Sequence, residues 1–171
     1  MQNKYYYLIA SLPYLKFGSE PPISSTNFIA ECGKWLGQSD MKTVLAAKIS
    51  GEAEPGEGGT VLAEWKTFDR ELRHELALIR AAHKKGEEHR GTDMLKSVLE
   101  QENPFLMEKE MERIRWSYLE EKSLGCFFDL NRLVLYFVQL QIVERMDIFD
   151  KDKGESYFYK LCEVNYEQAI G

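Results

Sequence analysis

At 171 residues, with 44% hydrophobic and 29% charged side chains, the chain has the make-up of one globular domain and is too apolar for a disordered segment. A formal charge of -6 argues against nucleic-acid and anionic-membrane binding, both of which rely on basic patches. Cys32, Cys126 and Cys162 are odd in number and form no CxxC pair, so neither a disulfide framework nor a zinc site is signalled and reduced cytosolic thiols are expected.

The opening run MQNKYYYLIASLPYL is rich in tyrosine and broken by Pro13, which speaks against a signal peptide and for the cytoplasm. Residues 5–12 suit a strand or a short helix. Helix is expected, because no second strand-like segment offers itself as a partner for the backbone groups. Gly18 and Pro21–Pro22 make Lys16–Pro22 a loop. Ser24 or Ser25 then caps a helix carrying Phe28, Ile29, Cys32, Trp35 and Leu36, ended by Gly37. Ser39 is expected to cap the next, with Met41, Val44, Leu45 and Ile49 at helical spacing, so the two form a hairpin with a very short turn.

GEAEPGEGG at residues 51–59 reads as a mobile acidic surface loop. Thr60 caps a long amphipathic helix to about Lys85, whose stripe is Val61, Trp65, Phe68, Leu72, Leu76, Ile79 and His83, and Gly86 stops it. After a turn through EEHRG, Thr92–Asp93 open a short helix to Leu99. Asn103–Pro104 pair an N-cap with a first-turn proline and start another. Its expected buried stripe is Met107, Met111, Ile114 and Tyr118, with Trp116 and Leu119 beside it. Glu110, Glu112, Glu120 and Glu121 are read as its solvated face, with Lys109, Arg113 and Lys122 as ion-pair partners.

The helix over about 129–149 is the expected centre of the fold. Between Leu133 and Val143 it carries no charge, and apolar side chains point all round it, so other helices must wrap it. It is too short for a membrane span, which needs about 20 apolar residues. Glu144 and Arg145 restore charge at its end and read as a structural ion pair. A final helix from about Glu155 presents Tyr157, Phe158, Leu161 and Val164. The sum is an all-α single domain over 1–171 of about seven or eight helices around a buried central helix.

Little of this carries chemistry. Glu71 and His74 have the carboxylate–histidine spacing of di-iron bundles, but such sites need two of these motifs plus inward glutamates, and the pair flanks the apolar stripe. His83 reads as a boundary residue and His89 as a solvated one. GEGG near residue 56 lacks the preceding strand and following lysine of a phosphate loop. Ser123 and Cys126 flank Gly125 in what a small-residue turn explains. No catalytic residue, cofactor site or metal site is expected. Tyr5, Tyr6 and Tyr7 cannot all face one core, so at least one is exposed; they are the candidate partner contact.

Three segments, YYYLIASLPYLKFGSEPPIS at 5–24, NPFLMEKEMERIRWSYLEE at 103–121 and FFDLNRLVLYFVQLQIVERMDIFDKDKGESYFYKL at 127–161, resemble an uncharacterised bacterial family encoded among the genes of V/A-type rotary ATPases. That family is distantly similar to the C subunit of those ATPases (the d subunit of eukaryotic V-ATPases), an all-helical funnel on the membrane rotor ring. Ile23–Ala46 resembles a serine-started helix pair of that subunit, and FDRELRHELALIRAAHKKG at 68–86 resembles its acidic–leucine–arginine–basic pattern before glycine. The resemblance implies a non-enzymatic accessory or central-stalk-like component with V/A-type ATPase subunits as partners. It implies a place in the cytoplasm, or at the cytoplasmic face of the membrane through the complex, without insertion into the membrane. The alternative expectation is a free-standing helical adaptor or assembly factor with another protein partner.

Overall fold

The computed structural model describes residues 5–49, 60–87 and 92–149. Among them are seven helices and no strand: α1 (Tyr6–Ser11), α2 (Ser25–Trp35), α3 (Gln38–Leu45), α4 (Thr60–Lys85), α5 (Asp93–Leu99), α6 (Pro104–Ser123) and α7 (Leu130–Ile148). The expected 51–59 loop, the turn holding His89 and the final helix from Glu155 lie outside the described residues.

Helix α7 is the axis of the fold. Asp129 caps it, accepting from the Arg132 N–H at 2.9 Å, and every residue from Leu133 to Leu140 is buried. Helices α2, α3, α4 and α6 all pack on it, as an apolar helix without a polar face requires. From α2, Phe28 stacks on Tyr136 and Phe137 with both ring centroids at 5.3 Å. Gln141 does separate work inside this apolar helix. Its amide donates to Ala47 O at 3.0 Å and accepts from Ile49 N–H at 3.1 Å, satisfying backbone groups that the end of α3 leaves open.

Capping explains most helix boundaries. Ser24 accepts from the Asn27 N–H at 3.2 Å to start α2, and Asn103 accepts from the Phe105 N–H at 2.8 Å to start α6, with Pro104 in its first turn. Gly86 ends α4 with φ +73°, and two bonds, Glu87 N–H to Ala82 O and Gly86 N–H to His83 O, close the left-handed cap. Gly37 behaves otherwise than expected. With φ -73° and ψ 166° it is the N-cap of α3, so Ser39 sits inside that helix instead of capping it. Only extended Leu36 and Gly37 separate α2 from α3, which leaves no room for a cap two residues later. Trp35 and Leu45, at the ends of this hairpin, are exposed.

Two apolar clusters result. The larger joins α1, α2, α3, the first turns of α4, the end of α6 and most of α7, and includes Leu8, Phe28, Val44, Leu62, Trp65, Leu119 and Phe137. The smaller joins the second half of α4 to α5 and the first half of α6 through Leu72, Leu76, Ile79, Leu95, Val98 and Met111. Phe68 touches both.

Two expected stripes are turned slightly from their observed positions. On α4 the buried residues are Leu62, Trp65, Asp69, Leu72, Leu76 and Ile79, a regular alternation of threes and fours that includes a carboxylate. His83 is exposed, because the smaller cluster ends at Ile79. On α6 the buried face is Met111, Glu112, Arg115, Trp116 and Leu119, while Met107, Ile114 and Tyr118 are half-buried at its margin. Glu112 therefore faces inward and not to solvent. The cause is ionic: charges on three helices meet at this level.

Candidate functional site

Two features stand apart from ordinary core and surface: an exposed aromatic end, and a charged layer between the two apolar clusters.

The aromatic end is built by α1 and the turn between α6 and α7. Tyr5 belongs to the core, its hydroxyl donating to the Asp40 carboxylate and its N–H to Phe128 O at 3.4 Å. The next two tyrosines turn outward, as the helical step of 100° demands. Tyr6 is 46% exposed and lies on Phe128 with centroids 4.6 Å apart, and Tyr7, 75% exposed, meets Tyr6 edge-on at 5.6 Å. In the adjoining turn Leu124 and Phe127 are 78% and 69% exposed. Of the three tyrosines expected at a contact, the structure thus puts Tyr6 and Tyr7 on the surface and Tyr5 beneath them. Leu124 and Phe127 join them; their signal was an apolar pair in a turn that burial does not require. Tyrosine is among the residue types enriched at protein contacts.

The charged layer begins with Asp69 on α4. Arg115 of α6 donates through Nε to Asp69 Oδ1 at 2.8 Å and through Nη1 to Glu112 Oε1 at 2.9 Å. Arg73 reaches Asp69 Oδ2 at 2.7 Å from the solvent side. From α7, Arg145 meets Glu112 Oε1 at 3.2 Å and also pairs with Glu108. Three carboxylates and three guanidinium groups balance. Glu144 and Arg145, read from the sequence as one pair, face different partners: Glu144 accepts from Ser25 N–H at 2.6 Å and Ser25 Oγ at 2.5 Å, bringing negative charge to the start of α2.

Burial decides the electrostatics of this layer. Glu112 is fully buried, and its Oε2 has no hydrogen-bond partner among the described residues. Desolvation pushes its carboxyl above the usual carboxylate range, the Arg115 and Arg145 charges pull it back, and Glu108 pushes it further up. For Arg115, burial alone would lower the pKa, but Glu112 and Asp69 outweigh it and raise it. The folded chain therefore holds the Glu112 proton to higher pH than the unfolded chain does. That contribution to stability is complete below the unfolded pKa of about 4.3 and is lost as pH rises through the folded value. Glu112→Gln removes this falling limb. The stability of Glu112→Gln relative to the parent is expected to increase as pH rises above about 4, read from urea midpoints along a pH series. A difference independent of pH would mean that Glu112 ionises alike in both states.

The remaining polar candidates stay apart. Glu71 and His74 are both exposed, and among the described residues no group of three or more metal-ligating side chains comes together. Burial pushes the Cys32 thiol up to about 12, with the Glu31 charge adding to it, which disfavours the thiolate. No helix among the described residues is long and apolar enough to cross a membrane.

The described residues form an all-α fold with exposed apolar side chains at one end. The model of a family described as protein of unknown function (DUF2764) matches residues 86–166, a stretch that takes in α5, α6 and α7. No curated protein and no solved structure matches the chain.

Proposed function

We propose that this chain is a non-enzymatic accessory or central-stalk-like component of a bacterial V/A-type rotary ATPase, acting through protein contacts at the cytoplasmic face of the membrane. The observation that carries the contact role is the exposed aromatic end, where Tyr6, Tyr7, Leu124 and Phe127 stand out beside a well-filled core. The ATPase assignment is supported by the resemblance of residues 5–24, 103–121 and 127–161 to a family encoded with such ATPases. The family match over 86–166 falls on two of those three segments.

The test is affinity capture of the tagged chain from its native host under conditions that keep the rotary ATPase assembled. ATPase subunits are expected in the eluate. Changing Tyr6, Tyr7 and Phe127 to serine is expected to reduce their recovery at least tenfold while moving the thermal midpoint by only a few degrees, since exposed side chains contribute little to stability. Capture of no ATPase subunit by the parent chain would overturn the assignment.

A further inference from the structure

A cavity of about 250 Å³ lies between α6 and α7 under the segment that follows α1. At about 30 Å³ per water it holds roughly eight waters, the scale of one small metabolite. Its two helical walls are regular. Helix α6 contributes Trp116, Glu120 and Ser123, and α7 contributes Arg132, Tyr136 and Gln139. Each set recurs at steps of three and four, so each is a single helical face turned to the same space. Because the helices are joined by the short 124–129 turn, Ser123 and Arg132 share the level nearest the turn. Trp116 and Gln139 share the far level.

Two polar side chains turn to this space without a side-chain partner among the described residues. Arg132 lines the cavity yet makes no ion pair among the described residues, its backbone N–H being the group that Asp129 caps. Gln139 is only 5% exposed, lines the same cavity, and its amide has no hydrogen bond among the described residues. Glu112 Oε2 is the one sealed and unbonded side-chain atom among the described residues, so the Gln139 amide opens into the space of the cavity, where water or a ligand can meet it. By contrast Tyr136 is satisfied, donating to Pro13 O at 2.9 Å. Burial pushes its phenol up to about 12 and the Arg132 charge pulls it down. Leu12, Leu15 and Trp116 supply the apolar lining.

We propose that this cavity binds a small organic monocarboxylate. The carboxylate pairs with Arg132, the hydrocarbon body lies on Leu12 and Trp116, and Gln139 bonds a carbonyl, hydroxyl or amide at the other end. A guanidinium fits a carboxylate through two parallel N–H donors, and the Gln139 amide both donates and accepts. Glu120 on the same wall disfavours ligands with more than one negative charge, such as dicarboxylates and phosphates.

The test uses N-acetyl-L-leucine as the probe and its uncharged analogue N-acetyl-L-leucinamide as the control, followed on the full chain by ¹H–¹⁵N spectra. Saturable shifts at the Trp116 indole and the Gln139 side-chain amide are expected, with a dissociation constant on the order of 1 mM for so small a ligand. The neutral analogue should bind the parent chain at least tenfold more weakly, and Arg132→Met should weaken the acid by about the same factor. Gln139→Leu should weaken it roughly fivefold. No saturable shift up to about 10 mM, or equal affinity for acid and neutral analogue, would overturn the proposal without recourse to any variant.

Discussion

Arg115→Met is expected to lower the unfolding free energy by about 3–5 kcal/mol, because it strands two buried carboxylates. Methionine nearly preserves the volume, so the effect isolates charge from packing. Asp69 keeps only its bond to Arg73, and Glu112 keeps only the 3.2 Å contact with Arg145. Adding Glu112→Gln to that variant removes one stranded charge and should recover about 1 kcal/mol or more, a coupling within the usual range for neighbours. Urea denaturation of the parent, both single variants and the double variant measures the cycle. A loss below about 1 kcal/mol for Arg115→Met would show that the layer is open to water and that its ion pairs resemble surface ones.

The second large effect is expected from Phe28→Ala, at about 3–5 kcal/mol. Phe28 is fully buried and stacks on both Tyr136 and Phe137, so the deletion opens a cavity where α2 meets the axis helix. That site cannot easily collapse. Tyr136 is tied to Pro13 O, and the start of α2 is held by Glu144 through Ser25. Phe28→Leu keeps much of the volume and should cost less than half as much. Thermal and urea unfolding with an unchanged denaturant slope would confirm a packing loss and not a change of fold. Equal costs for the two variants would instead point to a role for the aromatic ring itself.

Much of the helical framework was legible in the sequence, for reasons specific to a few residues. The uncharged run from Leu133 to Val143 demanded a wrapped helix, and Gly86 and Asn103–Pro104 marked boundaries through backbone chemistry that acts locally. What escaped were the buried charges. Asp69 completes the regular spacing between Trp65 and Leu72, and Glu112 and Arg115 stand three residues apart on the inner face of α6. A reading that assigns every charge to solvent turns both stripes away from them. Phe68 beside it keeps the expected period even, so spacing alone gave no sign of Asp69. Sequence spacing along one helix does not reveal that a neighbour will bring an arginine. The same limit hid the separate partners of Glu144 and Arg145, and it hid the cavity, whose walls belong to two helices. The tyrosines were half legible: the 100° step shows that they diverge, but only the Asp40 and Phe128 contacts decide that Tyr5 is the inward one.

The charged layer also fixes how α4 can sit along its neighbours. Its apolar stripe repeats every seven residues, so sliding α4 by one repeat, about 10 Å, would still set apolar side chains on apolar side chains. After such a slip Arg115 would face Leu62 or Leu76, and Asp69 would be pressed into hydrocarbon. The apolar stripe alone tolerates several alignments, and the ion pairs admit one. The Arg115–Asp69 pair thus keys α4 and α6 together in one register.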